Sequence, residues 1–339
     1  MKKTTVNPGR RNFLRLLGLA GAGTVVAAAA GPVIFSERFN KDLHQVRQTR
    51  TMMGTYVQIT VMDESAARAE DSVNNVFAEM ARLENLLTRF STTSPVAELN
   101  ASGRINGAPP EMMQVLAAAE MAYKASHGAF DITVLPLLQT VESRVRAGAG
   151  SFETAQAKNL VGFEKMSRLG NNVRFDRSGM AITLDGIAKG FIVDRAIDEL
   201  KSAGIKNALV NAGGDIRALG GKSAAHGWQI MVQDPADKNA YVAKLELRDR
   251  AIATSGNYEA YFDNAKLFGH LVSPASPSAP AQSASASILA PNCVTADALA
   301  TALFVMGKQD GLAMVSAKEQ LGALLLDRSG NQHSLRFIA

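Results

Sequence analysis

The order of the predicted elements is the feature that most constrains how this chain folds. Apolar and polar residues alternate from Thr55 to Val61, which is the period of a β-strand. Residues 65–90 then carry an apolar stripe at helical spacing. Further helices are predicted over residues 110–126, 190–203 and 295–306, and short strands over residues 207–212, 228–233, 242–247, 251–255 and 323–327. Helices that precede clustered strands, without a regular βαβ rhythm, predict an α+β fold.

Composition excludes two classes of protein. The chain of 339 residues has one cysteine, Cys293, so no intramolecular disulfide supports the fold, and we expect this residue to be a small buried hydrophobe. The formal charge of +5 comes from residues 1–30, which carry five basic residues and no acidic one. Because the rest of the chain is balanced in charge, nothing in it indicates a nucleic-acid partner.

Residues 1–30 are predicted to be a Tat signal peptide. Arg10 and Arg11 precede a weakly apolar stretch, residues 16–30, which is rich in Ala and Gly and ends in small residues suited to cleavage. A retained membrane anchor is the alternative, although a transmembrane helix needs about 20 strongly apolar residues. The absence of a cysteine near this boundary excludes a lipoprotein anchor. We therefore expect export to the periplasm.

Two further segments are expected to lie outside regular structure. Residues 31–50 are predicted to be a linker between the leader and the body of the protein. Residues 273–290 are rich in Ser, Ala and Pro, and this low-complexity composition predicts a loop. The body of the protein is then a single domain over residues 51–339.

A glycine- and lysine-containing turn in mid-chain has the composition of an anion site. In the segment TLDGIAKGF, residues 183–191, an apolar strand breaks at glycine and a helix begins. Free N–H groups at a helix start, with Lys189 in the first turn, suit an anion such as a pyrophosphate. An ordinary strand-to-helix turn with a solvated lysine is the alternative, and the spacing is not that of a Walker loop.

A pair of glycines follows the predicted strand 207–212. Gly213 and Gly214 end this strand and precede Asp215. Because glycine has no side chain, another chain or a ligand can approach the backbone closely at this point. A simple tight turn is the alternative.

Asp297 and Thr301 share one face of the predicted helix 295–306, because they are four residues apart. Carboxylate and hydroxyl oxygens suit a hard cation such as Mg²⁺, which keeps water ligands and shares phosphate oxygens. The alternative is that Asp297 complements the helix dipole and that Thr301 bonds back to a carbonyl.

The segment IATSGNYE, residues 252–259, is followed by His270, one of five histidines. A histidine after a glycine-containing strand can serve as a general base or as a phosphate contact. A purely structural histidine is the alternative.

Taken together, these segments resemble the ApbE family of FAD:protein FMN transferases. Each anchor alone is weak, but seven in the same order and spacing form a specific pattern. The resemblance implies mixed or antiparallel sheets flanked by helices, with FAD bound in a central cleft. The anchors are MGT at 53–55, GAFD at 128–131, GIAKG at 186–190, NAGGD at 211–215, ATSG at 253–256 with YE at 258–259, His270, and ADALAT at 296–301.

The resemblance also implies roles for individual residues. Asp297 and Thr301 would bind Mg²⁺, with the carbonyl of Gly186 as a further ligand. Lys189, Asp297 and His270 would be catalytic, with Lys189 at the FAD phosphates and His270 beside the pyrophosphate. The other residues that would bind FAD are Met53, Gly54, Ala129, Phe130, Asp131, Asp185, Gly213, Gly214, Asp215, Ser255 and Glu259.

The implied reaction is the Mg²⁺-dependent transfer of the FMN moiety of FAD to a Ser or Thr hydroxyl of an exported acceptor protein, with release of AMP. Contact with a membrane would come only through the leader or through a membrane-bound acceptor. The segment HLVSP, residues 270–274, departs from the family pattern and runs into the Ser/Ala/Pro tract. Two alternatives therefore stay open: a Mg²⁺-dependent FAD pyrophosphatase and a non-catalytic periplasmic FAD-binding or assembly factor.

Overall fold

The computed structural model of the protein describes residues 33–39, 42–148, 154–237, 239–257, 261–264, 267–279 and 281–337. The predicted Tat signal peptide and Glu259 lie outside these residues. Within the described part of the chain, no helix combines the length and the apolar character needed to cross a bilayer.

Seven helices and fourteen strands are described. The helices are α1 (Ala66–Leu87), α2 (Pro95–Ser102), α3 (Pro110–Ala125), α4 (Leu135–Arg146), α5 (Ala155–Lys158), α6 (Ala188–Ser202) and α7 (Cys293–Ser316). The strands are β1 (Val33–Arg38), β2 (His44–Met52), β3 (Thr55–Asp63), β4 (Arg104–Ile105), β5 (Met166–Leu169), β6 (Asn172–Phe175), β7 (Asn207–Ala212), β8 (Asp215–Leu219), β9 (Trp228–Gln233), β10 (Tyr241–Leu247), β11 (Ala251–Gly256), β12 (Ser283–Ala290), β13 (Gly322–Asp327) and β14 (Gln332–Leu335).

A nine-stranded sheet forms the centre of the fold, in the order β1-β2-β3-β7-β8-β11-β12-β13-β14. From β2 to β14 every neighbouring pair in this order is antiparallel. Two small sheets, β10-β9 and β4-β6-β5, complete the described strands. Long helices around an antiparallel sheet confirm the predicted α+β class.

Two hydrophobic cores lie against the central sheet. Ala251 and Ala253 of β11 belong to the larger core, which the helices share, whereas Ile252 belongs to a smaller core with Trp228 and Ile230 of β9. Since successive strand residues point to opposite faces, the helices cover one face and the β9–β10 ribbon covers the other. Helix α1 contacts β2, β3 and α6, helix α6 contacts β7, β8 and α7, and helix α7 contacts β11, β12 and β13.

The predicted stripe of helix α1 is buried as expected. Val73, Phe77, Met80 and Leu83 are at most 1% exposed, and burying one such side chain stabilises the fold by about 1.5–3 kcal/mol. The helix begins after Ser65, whose Oγ accepts a hydrogen bond from the backbone N of Arg68 at 3.2 Å. It ends at residue 87 rather than 90.

The predicted linker over residues 31–50 is wrong for most of its length, because strand β1 and most of strand β2 lie in it. Strand β2 covers residues 44–52 and pairs with β3 along its whole length. The sequence pattern concealed this strand because buried positions hold polar residues, with Gln45 7% and Gln48 1% exposed beside the fully buried Val46. A strand whose apolar partners come from α1 does not need an apolar stripe of its own.

The predicted loop over residues 273–290 is wrong for its last eight residues. Strand β12 lies inside the sheet, between β11 and β13. Ser283, Ser285 and Ser287 of this strand are at most 4% exposed. Ser283 Oγ contacts helix α7, and Ala286 and Ala290 belong to the core that the helices share, so small side chains let α7 approach the sheet closely. Packing therefore accounts for the composition that suggested a loop.

Helix α7 is longer than predicted and contains a kink. The predicted helix 295–306 extends from Cys293 to Ser316, and Gly307 has a φ of 73° and a ψ of −165° inside it. Ser283 Oγ donates a hydrogen bond to the carbonyl oxygen of Phe304 at 2.9 Å, one turn before the kink. A strand side chain thus satisfies a carbonyl near the point where the helix is interrupted.

Candidate functional site

Two hairpin turns lie side by side at one end of the central sheet. The β2–β3 turn is Met53-Gly54, and both residues have positive φ, 51° and 71°, as in a type I′ turn. The β7–β8 turn is Gly213-Gly214, and β3 pairs with β7. A Cβ atom on Gly213 would lie 2.5 Å from Thr55 Oγ1, so the close approach of the two hairpins requires glycine.

The turn before helix α6 meets helix α7 at the same end of the sheet. A Cβ atom on Gly186 would lie 3.1 Å from Thr301 Oγ1 and 3.5 Å from the ring of Phe130. Thr301 Oγ1 is also 3.1 Å from Ser255 Oγ, near the end of β11. The mid-chain turn, the end of β11 and the first half of α7 therefore converge.

Gly190 lies at a close contact between α6 and α7. Its backbone N donates a hydrogen bond to Asp297 Oδ2 at 2.9 Å. A Cβ atom here would lie only 2.4 Å from the carbonyl oxygen of Cys293 and 2.8 Å from Asp297 Cβ. Because residue 190 is glycine, helix α7 can pack close enough to α6 for Asp297 to reach the first turn of α6. The thiol of Cys293 is fully buried, as the sequence predicts.

Three charged groups meet beside this contact. Lys189 Nζ lies 2.8 Å from Asp215 Oδ2, and Asp215 and Asp297 are 2% and 5% exposed. Burial, reinforced by the charge of Asp215, raises the pKa of Asp297 to about 8, while Lys189 acts in the opposite direction. Two buried carboxylates beside one lysine leave a net negative charge when both are ionised, which a bound cation would neutralise.

The donor atoms at this contact fit a hard cation. They are the carboxylate of Asp297, the hydroxyls of Thr301 and Ser255, and the backbone beside Gly186. Among the residues that the structure describes, no group of three or more His, Cys, Asp or Glu side chains could hold a metal ion. A small set of oxygen donors suits an ion such as Mg²⁺, which takes its other ligands from water and phosphate, better than zinc.

The predicted flavin-binding turn at residues 129–131 borders a cleft of about 1010 Å³. Ala129 and Asp131 line the cleft together with Glu164, Ser273 and residues of the second half of α7. Phe130, by contrast, is buried against Gly186, so it links the cleft to the α6–α7 contact.

Hydrogen bonds to the backbone already engage the carboxylate of Asp131. Oδ1 accepts from Thr133 N and Oγ1 at 2.8 and 2.7 Å, and Oδ2 accepts from Phe163 N at 3.2 Å. Burial raises the pKa of this carboxyl to about 6, against the opposing effect of these hydrogen bonds. The carboxylate thus ties two wall segments of the cleft together.

Asp185 lies outside the Gly186–Thr301 contact. Its side chain is 47% exposed, and Oδ2 accepts a hydrogen bond from Arg89 Nε at 2.9 Å. The sequence did not indicate this pairing, since Arg89 belongs to the turn after α1, almost one hundred residues earlier.

His270 is half-buried beside a smaller cavity of about 240 Å³. Its neighbours Gly269 and Leu271 line this cavity, together with Ser273 and residues of α7 around the kink. Segment 273–279 borders both cavities, and Lys158 Nζ donates a hydrogen bond to the carbonyl oxygen of Ala275 at 3.0 Å. The catalytic role of His270 stays a prediction.

Sequence reasoning missed Asp194, which fixes where helix α7 begins. Its carboxylate accepts hydrogen bonds from the backbone N atoms of Cys293 and Val294 at 2.8 and 2.9 Å. It also pairs with Arg217 at 2.8 Å. Burial raises the pKa of Asp194 despite these partners. The available signal was an acidic residue inside the apolar stripe of the predicted helix 190–203.

The fold is that of the flavin-transferase structures. It matches a flavin transferase ApbE from Vibrio cholerae with a TM-score of 0.72 and 26% identity, over 86% of this chain and 97% of that one. It matches the ApbE protein of Thermotoga maritima with a TM-score of 0.75 and 27% identity, over the same shares of the two chains.

The ApbE family model matches residues 53–325, and this chain belongs to the ApbE family. A FAD:protein FMN transferase from Haemophilus influenzae is 30% identical over 298 residues, which cover 82% of this chain and 85% of that protein. One from Vibrio cholerae is 29% identical over 292 residues, which cover 82% and 86% of the two chains.

Proposed function

We propose that this chain is an enzyme that transfers the FMN moiety of FAD to a Ser or Thr hydroxyl of an acceptor protein and releases AMP. The observation that carries the proposal is the convergence of Gly186 and Lys189 with Asp297 and Thr301, in a chain that belongs to the ApbE family. Relatives that cover most of this chain bear the name FAD:protein FMN transferase, and three of the anchor segments touch one another at Gly186, Ser255 and Thr301.

The reaction needs charge stabilisation and a proton acceptor. The acceptor hydroxyl oxygen forms a bond to the phosphorus on the FMN side of the pyrophosphate, the bond from this phosphorus to the AMP oxygen breaks, and the hydroxyl proton passes to a base. Lys189, held beside the site by Asp215, would bind the phosphate oxygens as negative charge develops on them. His270 is our candidate for the base, because its neighbours line a cavity beside α7.

We further propose that Asp297 and Thr301, with the carbonyl of Gly186, hold Mg²⁺. The ion would neutralise charge on the pyrophosphate when bound. Support comes from the oxygen-only donor set and from the burial of Asp215 and Asp297 beside Lys189, because two buried carboxylates beside one lysine favour a divalent cation. The hydrogen bond from Gly190 N leaves one carboxylate oxygen of Asp297 available as a ligand.

The test combines the purified protein, FAD, Mg²⁺ and candidate exported flavoproteins. We expect AMP release that requires an acceptor, and a covalently fluorescent acceptor band. Asp297→Ala should lower the rate by about 10²–10³-fold or more and leave the protein folded. Asp198→Ala, which removes an exposed carboxylate on α6, is the matched control.

Other outcomes of this experiment separate the alternatives. AMP release at a comparable rate without acceptor would favour FAD hydrolysis. Tight FAD binding without any turnover would favour a binding or assembly factor. An Asp297→Ala variant that released AMP at the unchanged rate would rule out the metal assignment.

We also propose that the protein acts in the periplasm after export by the Tat pathway. Support for export comes from the sequence of residues 1–30, with its twin arginines and weakly apolar stretch. Replacing Arg10 and Arg11 by Lys should retain the protein in the cytoplasm, as cell fractionation would measure. An unchanged periplasmic fraction would contradict this proposal.

A further inference from the structure

A carboxylate of helix α1 holds the turn between strands β2 and β3. Glu84 Oε1 accepts a hydrogen bond from the backbone N of Met53 at 2.7 Å, and both residues are half-buried. A hydrogen bond from a backbone amide to a carboxylate is about twice as strong as one between neutral groups. The helix and the tip of the hairpin are therefore joined directly by one strong contact.

The turn needs such a support, because its first residue is poorly suited to it. Met52 pairs with Thr55, so the loop between the strands has two residues, and Met53 has a φ of 51°. Two-residue loops of this kind favour Asn, Asp or Gly at the first position, since a left-handed conformation strains residues with larger side chains. The amide of Met53 lies outside the β2–β3 ladder, and Glu84 supplies the acceptor that it requires.

The position of Glu84 is unfavourable for helix α1 itself. Glu84 lies in the last turn of the helix, and its backbone carbonyl accepts a hydrogen bond from Thr88 N at 3.0 Å. Because the C-terminal end of a helix carries a partial negative charge, an acidic side chain there lowers the stability of the helix. Residues 84–87 include no basic residue that would offset this charge. The contact with Met53, rather than the stability of the helix, accounts for the carboxylate.

The turn lies beside groups that are proposed to bind FAD. Just after the turn, the carbonyl oxygen of Tyr56 accepts a hydrogen bond from Gly213 N at 3.2 Å. The hairpin of Gly213 leads into Asp215, whose Oδ2 lies 2.8 Å from Lys189 Nζ. A change in the conformation of the Met53–Gly54 turn would therefore alter one edge of the proposed FAD site.

We propose that Glu84 is a positioning residue, which holds the Met53–Gly54 turn in its left-handed conformation and so pre-forms one edge of the FAD site. The inference rests on the proposed function, because it takes FAD as the ligand. Glu84 acts through the backbone of Met53 and not by contact with FAD. When only a fraction of the protein has the binding-competent conformation, the apparent affinity falls by that fraction. Loss of the hydrogen bond therefore weakens FAD binding while every group that touches FAD remains.

The test measures equilibrium binding of FAD to the purified protein by quenching of flavin fluorescence and by calorimetry, without acceptor protein. Glu84→Ala should weaken FAD binding by about 3- to 30-fold. Glu84→Met keeps the length of the side chain without an oxygen acceptor and should weaken binding by a similar factor. Glu84→Gln keeps a carbonyl oxygen as acceptor and should bind FAD within about threefold of the wild type.

Glu79→Ala is the matched control, because it removes another acidic residue of α1, one that pairs with Arg82 instead of the turn. Its FAD affinity should stay within about twofold of the wild type. Circular dichroism and thermal unfolding verify that each variant is folded. Should Glu84→Ala fail to fold, the comparison of Glu84→Met with Glu84→Gln decides the question.

A change in the turn itself tests the route by which Glu84 acts. Asn is favoured at the first position of this type of turn, so Met53→Asn should adopt the left-handed conformation without the help of Glu84. In the Met53→Asn background, Glu84→Ala should therefore weaken FAD binding by less than about twofold. This double-mutant cycle cancels the effect that Met53→Asn has by itself. Equal losses in the two backgrounds would show that Glu84 does not act through the turn.

The outcomes separate this inference from the proposed function. Equal FAD affinity of the wild type and of folded Glu84→Ala would overturn the positioning role and leave the transferase proposal intact. Glu84→Gln that binds FAD as weakly as Glu84→Ala would also overturn it, because the charge and not the hydrogen bond would then matter. The expected pattern of affinities, with no transfer by the wild type, would support the positioning role and contradict the transferase. Failure of the wild type to bind FAD would overturn both.

Discussion

The α6–α7 contact and the segment at residues 267–279 are held in different ways. At the contact, Gly190 lies against Asp297 and Cys293, and Asp194 fixes the first amides of α7. These groups are deeply buried. Segment 267–279, in contrast, is largely half-buried or exposed and borders two cavities.

The hydrogen bonds that hold segment 267–279 are less protected from solvent than those of the α6–α7 contact. Lys158 donates to the carbonyl of Ala275, and Leu271 N donates to Asn257 Oδ1 at 3.1 Å. Local stability follows buried contacts and protected hydrogen bonds. The residues proposed to bind the metal and the phosphates are therefore held in advance, whereas the wall around His270 has room to adjust.

The largest loss of stability and activity should come from adding a methyl group at the α6–α7 contact, between Gly190 and helix α7. Gly190→Ala places a Cβ atom within 2.4 Å of a backbone oxygen, so the helices must move apart. We expect a loss of about 1–3 kcal/mol in the free energy of unfolding and about 10²-fold in the rate of transfer, since Asp297 is displaced.

The control for this variant lies beyond the other end of α6. Gly204→Ala meets no atom within 4 Å, although Gly204 has a φ of +82°, so it should cost about 1 kcal/mol of stability and little activity. Thermal unfolding and AMP release measure both effects. Equal activities in the two variants would show that the contact is not what holds Asp297.

A smaller effect, on the pH dependence of stability, should come from replacing Asp131, the buried carboxyl in the wall of the cleft. Because burial raises the folded pKa of Asp131 from 3.8 to about 6, the folded protein binds more protons than the unfolded chain between these values. The contribution of Asp131 to stability therefore falls as the pH rises through this window. Asp131→Asn removes this dependence while it keeps an acceptor for Thr133.

Denaturant unfolding at several pH values measures the prediction for Asp131. The stability of Asp131→Asn relative to the wild type should increase by about 2 kcal/mol between pH 4 and pH 7. Asp327→Asn, at an exposed turn, is a control that should show no such increase. Parallel stability curves for Asp131→Asn and the wild type would mean that the wall carboxyl titrates normally.

The smallest effect should come from removing the hydrogen bond that Lys158 donates to Ala275 in segment 267–279. Lys158→Ala removes one exposed hydrogen bond, which contributes about 0.5–1.5 kcal/mol or less. We expect faster hydrogen exchange in residues 271–279, unchanged exchange in α6 and α7, and unchanged FAD affinity. A global loss of stability would show that the segment is as firmly integrated as the α6–α7 contact.

The sequence predicted the helices and strands whose apolar residues recur at regular spacing, and the motifs whose order along the chain matches the family. Helix α1, strand β7 and strand β13 lie within a few residues of their predicted ranges. The predicted proximity of Gly186 to Thr301 is confirmed by the structure. These features are local, or they depend on an ordered set of motifs that a family retains.

The rest depended on tertiary contacts that no sequence window contains. Strand β2 is buried although it is polar, because α1 supplies its apolar partners. Strand β12 reads as a low-complexity loop because its small side chains suit the approach of α7. The pairing of Arg89 with Asp185 and the capping of α7 by Asp194 join residues about one hundred positions apart. Residue type alone marks such groups as charged and does not name their partners.

The kink at Gly307 divides α7 into two mechanical parts. The first half carries Asp297 and Thr301 and is anchored by Asp194, whereas the second half borders the larger cleft. A left-handed glycine interrupts the helical hydrogen-bond ladder, so a helix bends most easily at such a residue. The second half has its own anchor, because Arg336 Nη2 donates a hydrogen bond to the carbonyl oxygen of Val315 at 2.8 Å. The two proposed ligands and the second-half residues that line the cleft therefore rest on separately fastened segments of one helix.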